Sequence, residues 1–122
     1  MEKGINIMVI VLFEVILNEG RKEDYLQIAS ELKEYLEKSP GFIRAERFSS
    51  IVEERKLLSM SVWENEEAVQ KWRNLEVHRY SQALGRDAIF ESYRITVTKT
   101  IRSYTEKDRL EAPTDSNQYF EV

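Results

Sequence analysis

Few side chains in this sequence are suited to acid–base or ligand chemistry. The 122-residue chain has no cysteine and one histidine, His78, which excludes disulfides, thiolate nucleophiles and metal sites built on several histidines or cysteines. His78 is also the one side chain whose ordinary pKa lies near neutrality. It is therefore a candidate proton acceptor, and the alternative is a surface or capping histidine on an amphipathic helix. The composition predicts chemistry without a metal held by the protein.

Two tryptophans are candidates for a binding or reaction site. Trp72 lies on a helical stripe with Ala68 and Val69, so it either packs in the core or lines a cavity between helix and sheet. Trp63 stands at the end of a predicted strand, where a structural role is favoured over contact with a ligand.

Arg86 and Tyr93 complete the set of candidates. Arg86 follows Gly85 and could hold an anionic ligand, or pair with Glu91 or with an acid of a partner chain. Tyr93 could present its hydroxyl to an interior cavity or pack against the helices. The residues alone leave these alternatives open.

The elements that would position these side chains follow the order β-α-β-β-α-β. An Ile- and Val-rich segment is typical of a buried strand, apolar residues at helical spacing indicate helices, and strict alternation marks the last strand. Asn65 predicts a helix N-cap, Ser39-Pro40-Gly41 ends one helix, and Gly85 is expected to end the other. The predicted ranges are 5–17, 21–38, 42–48, 56–63, 65–84 and 93–102.

This order matches an α+β ferredoxin-like plait, a four-stranded antiparallel sheet with both helices on one face. We expect the other face to carry Thr96, Thr98 and Thr100, together with Ser59 and Ser61 and aliphatic residues of the first strand. A partly apolar sheet face needs a partner. Because two-fold symmetry is the commonest in oligomers, the expectation is a homodimer that packs sheet against sheet.

Charge and hydropathy restrict the remaining partners and the location. The net charge of −4, without a run of Lys and Arg, argues against nucleic acid. The apolar segment 5–17 is too short to span a bilayer and is interrupted by Asn6 and Glu14, so we expect no membrane partner and a cytoplasmic protein. Residues 1–104 form the predicted domain. Residues 105–122 form an acidic tail, flexible over 113–117, whose Tyr119 and Phe120 could pack on a partner subunit.

With the elements placed, the run 61–73, Ser-Val-Trp-Glu-Asn-Glu-Glu-Ala-Val-Gln-Lys-Trp-Arg, resembles the antibiotic biosynthesis monooxygenase family. In that family a strand ends in Trp, an acidic cap follows, and an aliphatic pair precedes a second aromatic residue. Pro40-Gly41-Phe42 is a further shared feature. Residues 76–78, 85–86 and 90–93 resemble a bacterial subgroup of YqjZ-like proteins. The resemblance covers about residues 5–102.

The resemblance implies a dimeric α/β barrel that oxygenates a small aromatic or polyketide-like substrate with no cofactor. A deprotonated, electron-rich phenol can itself pass an electron to O₂, and the protein supplies a dry pocket and a route for the proton. On this reading His78 and Trp72 are the catalytic candidates. Trp63, Arg86 and Tyr93 are the substrate-binding candidates.

Three alternatives stay open. A second branch of the family degrades haem with an Asn, a Trp and an axial His; Trp72 matches the Trp, but Phe13 and Gln82 stand where the Asn and His belong, which disfavours haem. A non-catalytic barrel would bind a small hydrophobic or aromatic ligand without turnover. A structural or interaction protein would have its cavity filled by side chains.

Overall fold

The computed structural model describes residues 8–87 and 89–120, with side chains over 8–76 and 89–118. The elements are β1 (Val9–Leu17), α1 (Lys22–Glu37), β2 (Phe42–Ser49), β3 (Lys56–Trp63), α2 (Glu66–Asp87), β4 (Phe90–Lys99) and α3 (Thr114–Phe120). The order predicted up to β4 is confirmed. Residues 5–7 of the predicted first strand lie outside the described residues.

The four strands form one antiparallel sheet in the order β2-β3-β1-β4. β1 is central, with β3 on one side and β4 on the other, as its Ile- and Val-rich sequence predicts. The fold is α+β and ferredoxin-like, which confirms the predicted class. None of the helices in the described part of the chain combines the length and hydropathy that a membrane crossing requires.

The two serines of β3 lie on the helix-covered face of the sheet, which corrects the sequence prediction. Trp63 packs against Trp72 of α2, with ring centroids 6.1 Å apart. Strand residues two apart share a face, so Ser61 and Ser59 point toward the helices as well. In the register, Ser61 lies opposite Val11 and Ser59 opposite the buried Phe13.

The opposite, open face combines apolar and polar side chains. Its members include Ile10, Leu12, Glu14 and Ile16 of β1, Glu46 and Phe48 of β2, Lys56, Leu58, Met60 and Val62 of β3, and Arg94, Thr96 and Thr98 of β4. The predicted Thr96, Thr98 and first-strand aliphatics are therefore on this face, whereas Thr100 lies beyond the end of β4. Alternating aliphatics of β3 stand where the two serines were expected. We call this surface the open face.

Two buried clusters hold the helices on the sheet. One, at the end of β1, contains Phe13, Val15, Leu17, Tyr25, Leu57 and Ile89. The other contains Val9, Leu32, Trp63, Ala68, Val69 and Trp72. Because the second cluster joins α1, α2 and β3 through large apolar side chains, it determines where the first turns of α2 lie on the sheet.

Of the two predicted ends of α2, the structure confirms only the first. The predicted cap is confirmed, since the Ala68 N–H donates to Asn65 Oδ1 at 2.9 Å. The predicted stop at Gly85 is wrong, because the helix continues to Asp87. A glycine inside a helix costs about 1 kcal/mol relative to alanine, a cost that does not by itself end a helix.

The tail has more order than its composition indicates. Residues 113–117, predicted to be flexible, include the start of α3. Arg109 donates to Asn117 Oδ1 at 3.0 Å, to Ser116 Oγ at 2.9 Å and to the Thr105 carbonyl at 3.2 Å. One guanidinium carries several donors, so it can join three parts of a short polar segment. The side chains of Tyr119 and Phe120 lie outside the described residues.

Candidate functional site

A cavity of about 360 Å³ lies between the helices and the β2–β3 half of the sheet. This volume is within the usual range for small-molecule sites. Its apolar lining comes from Ala29, Leu32 and Leu36 of α1, Phe42 and Ala45 of β2, and Trp72 of α2. Polar side chains reach it from the same elements, so it can hold an apolar body and orient a polar group.

The floor of the cavity contains the two serines that the register of β3 turns toward the helices. Ser59 and Ser61 both line it. The Ser61 hydroxyl accepts a hydrogen bond from the Trp63 indole N–H at 2.8 Å. This bond satisfies a fully buried indole and orients one of the polar groups of the floor.

Trp72 and Glu76 form the wall that α2 contributes. Residues four apart lie on the same side of a helix, and both side chains line the cavity. Burial raises the pKa of the Glu76 carboxyl from 4.5 to about 7, and a side-chain hydrogen bond with Trp72 opposes this rise. Burial removes hydration from the charged carboxylate and so disfavours it. The hydrogen bond donated by the Trp72 indole restores part of the lost stabilisation.

A carboxyl group with a pKa near neutrality can exchange protons efficiently at physiological pH. Perturbed carboxyls in cavities are typical of functional sites. Sequence reasoning did not select Glu76 as a site residue. One feature of the sequence could have identified it. Glu76 lies one turn after Trp72 on the inward-facing stripe of α2, where an apolar side chain would be expected.

The structure brings together only part of the predicted site. Trp72 both packs in the core and lines the cavity, so its two alternatives hold at once. Trp63 is fully buried behind it and is not part of the lining. Tyr93 lies on β4, where its ring packs against Phe13 and Phe90 with centroids 5.7 and 6.0 Å away. Tyr93 is 57% exposed and does not line this cavity.

The side chains of His78 and Arg86 lie outside the described residues, although both positions belong to α2. Their predicted roles therefore stay predictions. Glu91, one of the partners considered for Arg86, forms an ion pair with Arg55 at 2.8 Å.

Comparisons with known proteins agree with this architecture. Residues 8–84 match the model of the antibiotic biosynthesis monooxygenase family. The chain is 34% identical over 99 residues to the jasmonate monooxygenase ABM of Pyricularia oryzae, a match that covers 79% of this chain. It spans about half the length of that relative, 46%.

Two solved structures have the same fold. SnoaB of Streptomyces nogalater, a cofactor-independent oxygenase, superimposes with a TM-score of 0.65 at 12% identity, covering 83% of this chain and 99% of its own. Protein SO0527 of Shewanella oneidensis superimposes with a TM-score of 0.67 at 15% identity, covering 78% of this chain and 92% of its own. Assignment to the YqjZ-like subgroup stays a prediction. Since the family model matches well over half of the residues, the chain belongs to the antibiotic biosynthesis monooxygenase family.

Proposed function

We propose that this protein is a monooxygenase that oxidises a small organic molecule with O₂ and needs no metal or organic cofactor. The observation that carries the proposal is the Trp72–Glu76 pair in a cavity of a chain of this family. A proton acceptor beside an aromatic wall is what this chemistry requires of the protein, because the substrate anion itself supplies the electrons.

In the proposed reaction Glu76, as the carboxylate, removes a proton from an acidic C–H or O–H of the substrate. The electron-rich anion transfers an electron to O₂, and the resulting pair combines at carbon. For a methylene group the balance is R₂CH₂ + O₂ giving R₂C=O + H₂O: one oxygen atom enters the product, the other leaves as water, and no outside reductant is consumed. The Trp72 indole orients the carboxylate and keeps water away.

The substrate we propose is aromatic or polyketide-like, with an acidic position next to a carbonyl group or an aromatic ring. The apolar lining by Leu32, Leu36, Phe42 and Trp72 suits such a body. The name of the Pyricularia oryzae relative makes jasmonate a second compound to test, since its ketone also acidifies neighbouring C–H bonds. His78 remains the second candidate for the proton acceptor.

Oxygen uptake by the purified protein tests the proposal. With anthrone, whose anion is electron-rich, or with jasmonate, we expect enzyme-dependent consumption of O₂ that a metal chelator leaves unchanged. Mass spectrometry after reaction under ¹⁸O₂ should find one labelled atom in the product. Binding of these compounds without O₂ consumption would contradict the proposal and favour the non-catalytic alternative.

We also propose that the protein acts as a homodimer joined through the open face. In support, Leu12, Phe48 and Leu58 border an apolar depression of about 340 Å³ on this face, and Phe48 is 42% exposed. Solvent-exposed apolar patches of this kind are typical of interfaces.

Leu58→Asp should convert the dimer to monomers in native mass spectrometry, because it places a charge in the proposed interface. Leu26→Asp, on the outer surface of α1 where Leu26 is 39% exposed, is the matched control and should remain dimeric. A monomeric wild type, or equal dissociation of both variants, would contradict the proposed interface. Far-UV circular dichroism verifies that the variants are folded.

A further inference from the structure

The charged side chains around the cavity are unevenly placed. On β2, Arg47 lies opposite Ser59 and therefore shares the helix-covered face with the cavity floor. Lys33 reaches the lining from α1. Within the described part of the chain, neither cation forms an ion pair. A guanidinium and an ammonium group thus border the cavity with unused donors.

The acids of the lining do not neutralise both cations. Arg44 and Glu46 are also among the lining residues, but they lie opposite Val62 and Met60, which places both on the open face. Glu37 follows Lys33 by one helical turn and is the acid on α1 that lines the cavity. It is suited to offset the charge of Lys33, whereas Arg47 forms no ion pair with a carboxylate of the described residues.

Glu76 does not serve as the partner of Arg47 either. The environment of its carboxyl is set by burial and by the Trp72 indole, with no contribution from a cation. The carboxyl and the guanidinium therefore belong to different walls of one cavity, α2 and β2, with apolar lining between them. That arrangement fits a ligand that has an apolar body and one anionic end.

We propose that the cavity selects small organic anions: Arg47, assisted by Lys33, binds the carboxylate of the ligand, and the apolar body lies against Trp72 and Phe42. Arginine is suited to this task because its planar donors match the two oxygens of a carboxylate. With the anionic end held on β2, the far end of the ligand faces Glu76. This last point rests on the proposed function, in which Glu76 takes the substrate proton.

Calorimetric titration under anaerobic conditions, with 2-naphthylacetate and its methyl ester as probes, tests the inference. The two probes share one apolar body and differ in charge. Wild-type protein should bind the acid at least about tenfold more tightly than the ester. Arg47→Gln should remove this preference by weakening acid binding alone. Arg102→Gln, the same change at an exposed arginine that follows β4 and does not line this cavity, is the matched control and should keep it.

Equal affinity of the wild type for both probes, or no binding of the acid at about 1 mM, would overturn the inference. So would an equal loss of acid binding in Arg47→Gln and Arg102→Gln, since that would show a general effect of net charge. Because binding is measured without O₂, the result is independent of turnover. Acid selectivity without oxygen uptake would refute only the monooxygenase, and oxygen uptake without acid selectivity would refute only the anion site.

Discussion

Glu76→Gln is expected to lower the maximal rate of substrate-dependent O₂ uptake by about 10²- to 10⁴-fold, the usual contribution of a positioned general base. Glutamine has nearly the same shape and can still accept the hydrogen bond from Trp72, but it cannot take a proton. Substrate affinity should change little, because the side chain still closes the same wall of the cavity. The measurement is initial O₂ consumption against substrate concentration, which separates kcat from KM.

The pH dependence of the wild type should have a defined sign. The proposed base is the ionised carboxylate, and burial raises the pKa of Glu76 from 4.5 to about 7. Activity should therefore be low at pH 5, rise through about pH 7 and level off above it. The residual activity of Glu76→Gln should lack this rise.

Two further variants separate Glu76 from its neighbours. Glu67→Gln removes an exposed carboxylate of α2 that does not line the cavity and should retain the rate and the pH profile of the wild type. His78→Ala distinguishes the two candidate bases, because an unperturbed histidine also titrates near neutrality. If His78→Ala abolishes the rise with pH while Glu76→Gln keeps it, the histidine is the base and the role proposed for Glu76 is wrong.

Gly41→Ala should destabilise the fold by about 2–5 kcal/mol, the largest stability effect that we expect from a single methyl group in this chain. Gly41 has a φ of +84°, a conformation that costs L-residues about 1–2 kcal/mol. A Cβ atom there would also lie 2.6 Å from the Ala68 Cβ, so α2 would have to shift. Urea unfolding of the variant and the wild type gives the difference in free energy.

Gly20→Ala is the matched control for this prediction. Gly20 has a similar φ of +79°, but nothing lies within 4 Å of an added Cβ. The free energy of unfolding of Gly20→Ala should therefore fall only by the conformational cost of the positive φ, about 1–2 kcal/mol. Equal losses in the two variants would show that contact with Ala68 is unimportant. The contact matters for the site because Ala68 lies one turn before Trp72, and a displaced α2 would move the cavity wall.

Local sequence determined the order of the elements and much of their extent. The alternation over 56–63 predicted β3 to the residue, and Asn65 correctly marked the start of α2. These features depend on side-chain period and on hydrogen bonds between residues close in the chain. The family was recognisable for the same reason, since its pattern of strand end, cap and aromatic residues is a local one.

Only the tertiary structure decided the composition of the site. From the sequence, Ser59 and Ser61 could lie on either face of the sheet. The contact between Trp63 and Trp72 shows that their side of β3 is the helix-covered one. Nothing in the sequence distinguishes the carboxyl of Glu76 from other glutamate carboxyls. Its raised pKa comes from burial within the fold. Arg47 became a candidate ligand because β2 pairs with β3 beside α1. Spacing along the chain determines which side chains share a face, whereas burial and charge at a site depend on segments that are distant in sequence.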